Sequence, residues 1–133
     1  METLTISGNS KQEKYASLLP QVQAVMDSSV DIIANMANMA AMLHETFGFW
    51  WTGFYRVIGD ELMLGPFQGP LACKRIAYGR GVCGTAWKER HTLVVPVFQD
   101  GEIIAVLDID SDRLATFDDI DAEFLERIVT LLS

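Results

Sequence analysis

Two cysteines stand ten residues apart in a stretch that concentrates positive charge. Cys73-Lys74-Arg75 is followed by Gly79-Arg80-Gly81-Val82-Cys83-Gly84, so three of the ten basic residues of an acidic chain fall within eleven positions. Cysteine reacts as its thiolate, and nearby cations or a helix N-terminus lower its pKa. Gly79, Gly81 and Gly84 allow a backbone or a ligand to approach closely. The same window is also consistent with two small buried residues beside a turn. A second group lies near the C-terminus, where Ile104, Val106, Asp108 and Asp110 recur with the period of a strand and share one face. Two carboxylates projecting together can hold an ammonium group, share a proton or bind a metal. The plainer alternative is a polar strand end in which Asp110-Ser111-Asp112 caps a turn. A third group is aromatic: alternation places Trp51 and Tyr55 on one face and Trp50 and Phe54 on the other. Such a wall suits a small amphipathic ligand, or it packs under a loop.

These groups need elements to position them. From Lys11 to Met26 the apolar residues Tyr15, Leu18, Leu19, Val22, Val25 and Met26 have helical spacing, and Pro20 is expected to kink or restart the run. Asp27-Ser28-Ser29 reads as a helix start, followed by a face of Val30, Ile33, Met36, Ala37, Ala40 and Leu43 that ends near Gly48. The methionines of this region read as core packing. Beyond Gly48 the pattern becomes aromatic and β-prone, with Gly59-Asp60 as a turn and 61–65 as the returning strand. Residues 66–80 read as an irregular loop, 81–90 as a short helix, and 93–98 and 102–109 as a hairpin closed by Asp100-Gly101. On the last strand Ile103, Ala105, Leu107 and Ile109 form the core face. The closing helix carries Ile120, Phe124, Leu125, Ile128, Leu131 and Leu132, with Thr116 and Asp119 at capping-box spacing. Hairpins with flanking helices predict an α+β fold, an antiparallel sheet covered by helices, of the general PAS/GAF type.

Whole-chain properties narrow the function. With 133 residues, half of them hydrophobic and 21% charged, the chain has room for one domain with a real core. No apolar run approaches the roughly 18 residues that span a membrane, and the N-terminus lacks a secretory pattern, so a cytoplasmic location is expected. The formal charge of −8 disfavours nucleic acid and membrane partners. Two cysteines make no disulfide scaffold, and without a CxxC pair or a Cys/His cluster no metal is expected. His44 and His91 suggest no catalytic partner, and the glycines around Cys83 match neither GxGxxG nor a P-loop.

Taken together, the segments 51–55, Leu64-Gly65-Pro66-Phe67-Gln68-Gly69, 72–76, 79–86 and Val106-Leu107-Asp108-Ile109-Asp110-Ser111, with Tyr15 and the Phe117-Asp118 helix start, resemble the GAF-type free methionine-(R)-sulfoxide reductases. The resemblance covers nearly the whole chain. It implies a GAF fold over 1–133, no cofactor, free methionine sulfoxide as substrate, thioredoxin as reductant and a homodimer. It assigns Cys83 and Cys73 to thiol chemistry, and Trp51, Tyr55, Asp108 and Asp110 to the substrate. In the family a cysteine attacks the sulfoxide sulfur and becomes a sulfenic acid, and a second cysteine closes a disulfide. A sensor module that binds a small molecule without turnover and a cysteine redox sensor are the alternatives; the absence of an output domain favours the enzyme.

One departure stands out. Family members carry a third cysteine, usually the attacking nucleophile, in a segment of about two dozen residues expected near 92–96; here His91-Thr92-Leu93-Val94-Val95-Pro96 runs straight through. Cys73 and Cys83 match the resolving or accessory thiols. Either the chain lacks the loop and is inactive or altered, or the protein retains it as a cysteine-bearing lid beyond the residues of this sequence; the intact flanking motifs favour the second. An intact mass near 14.8 kDa would contradict that expectation.

Overall fold

The computed structural model describes residues 3–77, 92–113 and 116–132. Cys83, the predicted helix 81–90 and His91 lie outside the described residues. Among those described, α1 (Lys11–Val25) and α2 (Ile32–Phe47) precede β1 (Trp51–Ile58), β2 (Glu61–Gln68), β3 (Arg75–Ala77), β4 (Thr92–Gln99) and β5 (Glu102–Asp110), and α3 (Asp119–Val129) follows. The sheet order is β3-β2-β1-β5-β4, with every pair antiparallel. None of the described helices is long and apolar enough to cross a membrane.

Local chemistry sets the helix ends. Ser10 caps α1 in a reciprocal box with Glu13, and Tyr15, Leu18 and Val22 turn inward. The helix runs through Pro20 instead of restarting there. Pro20 is exposed, so water can satisfy the carbonyl whose N–H partner is missing. α2 begins later than predicted, capped by Asp31, whose carboxylate accepts from the Ile33 N–H at 2.8 Å. The predicted starter Asp27 folds back on Ser29 and is clamped by Asn35. Val30 therefore precedes the helix and is exposed, as is Ala37, while Met36, Met39, Ala40, Met42 and Leu43 are buried. α3 is capped by Asp118 and Asp121, not by Thr116 and Asp119. The Thr116 hydroxyl is committed elsewhere, to Ser111 and to the Arg113 carbonyl.

The sheet departs from the expected pattern twice. Residues 66–68 continue β2, and 75–77 form the edge strand β3, inside what reads as a loop. Gly53 pairs Phe67 and Tyr55 pairs Leu64, so β2 carries an extra residue around Gly65 and Pro66. Such a bulge is where a strand tolerates proline. A second bulge lies in β5, where Phe98 pairs Ile103 and Val97 pairs Ala105. The skipped residue exchanges the faces of its neighbours: Ile104 packs on the main core and Ile103 on the opposite face, the reverse of strict alternation. The β4–β5 turn uses Asp100 and Gly101, both at positive φ (53° and 81°), which suits a tight hairpin.

One sheet face packs against the helices. Phe54, Val95, Val97, Ala105, Leu107 and Ile109 meet Leu18, Met39, Leu43, Leu125 and Ile128 there. This core also holds a polar contact: the Tyr15 hydroxyl donates to Asp121 at 2.6 Å, and Lys11 pairs with the same carboxylate. Burial, with the Asp121 charge beside it, pushes the Tyr15 phenol well above its ordinary range. Tyr15→Phe is expected to cost about 1–3 kcal/mol, because it removes a donor from a buried carboxylate. A lowered midpoint of denaturant unfolding is the check.

Candidate active site

The opposite sheet face carries a smaller cluster of Trp51, Tyr55, Leu62 and Val106, with Phe67, Ala72, Val94 and Ile103 against it. The extra residue of the β1–β2 pair sits in β2, so alternation along β1 survives and Trp51 and Tyr55 share this face. Their rings stack at 5.9 Å, and Phe67 stacks on Trp51 at 5.2 Å. Gly53, between them in sequence, makes the stack possible: a Cβ there would lie 2.3 Å from the Phe67 Cβ and 2.7 Å from the indole. Trp50 is not part of a wall; it precedes the strand and is half exposed.

Cross-strand register brings the carboxylates to the same place. Trp51 pairs with Asp110 and Gly53 with Asp108, while on the other side of β5 Thr92 pairs with Asp110 and Val94 with Asp108. Asp108 is almost fully buried, and its Oδ1 has no hydrogen-bond partner among the described residues. Desolvation, then the charge of Asp110 and a hydrogen bond with it, pushes the Asp108 carboxyl up to about 8. Asp110 is also raised, mainly by desolvation, but its hydrogen bonds with Thr92 and Asp108 pull the other way. The Thr92 hydroxyl donates to Asp110 Oδ1 at 2.6 Å. Two carboxyls this close cannot both ionise cheaply. Burial and the neighbouring carboxyl therefore favour the protonated form of Asp108 at neutral pH.

This arrangement has a measurable signature. The folded state holds the Asp108 proton up to about pH 8, whereas the unfolded chain releases it near 3.8. Stability is therefore greatest below pH 4 for this group and declines as pH rises to about 8. The limit for a single group is about 1.4 kcal/mol per pH unit. Asp108→Asn, which imitates the protonated form, is expected to flatten that decline, so that its Tm exceeds the parent's at pH 9. A parallel decline in both proteins would count against the assignment.

Cys73 follows the β2 bulge region on the segment 69–74, and its side chain is exposed. Arg75 beside it approaches Glu61 at 4.0 Å. The indole N–H of Trp51 donates to the Pro70 carbonyl at 3.0 Å, and the Tyr55 hydroxyl donates to the Cys73 carbonyl at 2.9 Å. The structure thus brings together Trp51, Tyr55, Asp108, Asp110 and the Cys73 main chain. It adds Thr92 and Phe67, which sequence reasoning missed. Thr92 is one hydroxyl at the start of an apolar strand, and only the register with β5 reveals its partner. Phe67 stood inside a quoted motif without a role. Two cavities lined by described residues, of about 620 and 380 Å³, lie elsewhere: one between α1, α2 and the N-terminal segment, the other around Lys11, Trp50 and Arg113.

Comparison with known proteins agrees with this fold. The GAF domain family model matches residues 86–133. GAF domain-containing protein A of Dictyostelium discoideum is 46% identical over 154 aligned positions, covering 98% of both chains. The Escherichia coli free methionine-R-sulfoxide reductase is 37% identical, covering 92% of this chain and 88% of its own. Among solved structures, the free methionine-R-sulfoxide reductase from Neisseria meningitidis in complex with its substrate superposes with a TM-score of 0.88 at 44% identity, over 99% of this chain and 93% of that one. Because 154 aligned positions exceed 133 residues, at least 21 positions of the Dictyostelium relative have no counterpart here. With a shared fold, near-complete coverage and this level of identity, the chain belongs to the free methionine-R-sulfoxide reductase family of GAF-domain proteins.

Proposed function

We propose that this protein reduces free methionine (R)-sulfoxide to methionine by thiol chemistry, recycled by thioredoxin in a reducing cytosol. The observation that carries the reading is the buried carboxyl pair Asp108/Asp110 on the sheet face that also bears the Trp51–Tyr55–Phe67 stack and the Cys73 segment. The aromatic rings receive the methyl-thioether end, and the Asp110 carboxylate pairs with the substrate ammonium. A thiolate attacks the sulfoxide sulfur and forms a transient S–S bond; with uptake of one proton the oxygen passes to the cysteine sulfur as a sulfenic acid, the substrate S–O bond and the transient S–S bond break, and the substrate leaves as the thioether. Asp108, protonated up to about pH 8, is placed to supply a proton to the departing oxygen. A resolving thiolate then attacks the sulfenic sulfur, water leaves, and the resulting disulfide, relayed through Cys73 and Cys83, is passed to thioredoxin.

The relatives' additional positions support a cysteine-bearing loop in the complete protein, which would supply the first attacking thiol and leave Cys73 and Cys83 to resolve and relay. The family resemblance also supports a homodimer. The test is NADPH consumption coupled through thioredoxin reductase and thioredoxin. Consumption dependent on free methionine (R)-sulfoxide is expected; none with any methionine sulfoxide would refute the reading.

A further inference from the structure

We propose that Trp51 and Tyr55 are positioning residues for the Cys73 thiol: their polar tips tether the segment 69–74 along the sheet face that holds the carboxyl pair. On a wall built only for a ligand, the indole N–H and phenol O–H would be left for that ligand. Here they donate to two carbonyls of the cysteine-bearing segment, Pro70 at 3.0 Å and Cys73 at 2.9 Å. A third tether follows at once, from the Leu64 N–H to the Lys74 carbonyl at 2.9 Å. The segment also enters directly against Trp51. Gly69 has φ +136°, and a Cβ there would lie 2.8 Å from the indole Cδ1. Ala72 packs inward on the same aromatic cluster, whereas Leu71 is 98% exposed and Cys73 is exposed. Packing of the thiol itself therefore cannot fix where the sulfur stands, and the main-chain tethers must.

Placement matters because disulfide closure is an intramolecular displacement. The Cys73 sulfur bonds to the partner sulfur, the S–O bond of the sulfenic acid breaks, and the oxygen leaves as water with the thiol and sulfenic protons. Its rate follows the effective concentration of one sulfur about the other, and small misplacements of reacting groups cost up to about 10²-fold. This inference rests on the reading of Cys73 as one half of that disulfide.

Tyr55→Phe tests it, since the ring stays and one O–H is lost. Two readouts are taken: amide hydrogen exchange at 71–74, and the partition between disulfide and dimedone-trapped sulfenic acid after one turnover without reductant. We expect exchange there to rise about tenfold, consistent with one lost hydrogen bond. Disulfide closure should slow by a similar factor. Unchanged exchange overturns the inference, and so does unchanged closure of the disulfide. If the parent protein closes no disulfide, the proposed function fails instead, and the exchange result alone decides whether the tether exists.

Discussion

Cys73→Ser combined with Cys83→Ser is expected to bring thioredoxin-supported turnover down to background, a loss of about 10³-fold or more, since groups acting as one unit fail together. The two are the only sulfhydryls in these 133 residues. Thioredoxin reduces a disulfide, so no recycling route survives their removal. Each single serine variant should slow recycling by thioredoxin, because the relay then lacks one of its two thiols. The Cys73 side chain is exposed, so its replacement removes no core contact, and an unchanged Tm in Cys73→Ser would separate chemistry from folding. Turnover persisting in the double variant would show that the thiol work is done elsewhere.

Asp110→Asn is the second large effect, and it follows from which carboxyl bears the charge. In the proposed pocket burial favours a proton on Asp108, and the hydrogen bonds of Asp110 with Thr92 and Asp108 favour its ionised form, so the proposal gives the contact with the substrate ammonium to Asp110. The amide keeps the shape and can still meet the Thr92 hydroxyl, so the principal loss is one charge-assisted contact. Such contacts are worth about 1.5–3 kcal/mol, which corresponds to a fall of about 10–100-fold in kcat/KM. A substrate analogue lacking the amino group should be handled almost equally by parent and variant, because the contact in question is absent from both. Unchanged kinetics with the full substrate would remove Asp110 from the pocket.

The residues of the site differ in how readable they were. Asp108 and Asp110 share a face because strand geometry alternates with period two, and no bulge intervenes between them. Trp51 and Tyr55 were readable for the same reason. Ile103 and Ile104 were not, since the bulge opposite Val97 and Phe98 is a property of the pair of strands, not of either alone. The cap of α3 shows a different limit. Thr116 with Asp119 and Asp118 with Asp121 have the same spacing, so local pattern cannot rank them. Tertiary contacts do, because Lys11 and Tyr15 from α1 hold Asp121 in place. Thr92 became part of the site only through its cross-strand partner, and Phe67 only through the Gly53 gap that lets the rings meet. The tethering of the Cys73 segment by aromatic tips has no sequence signal, since it joins residues eighteen and nineteen positions apart.

The most direct test of the central claim is a single turnover without any reductant. Fully reduced protein is mixed with excess free methionine (R)-sulfoxide, and methionine and thiols are counted per chain. Thiol reduction predicts one methionine formed and two thiols lost, with a mass decrease of about 2 Da that thioredoxin reverses. Methionine sulfoxide returned unchanged, with both thiols intact, would contradict it.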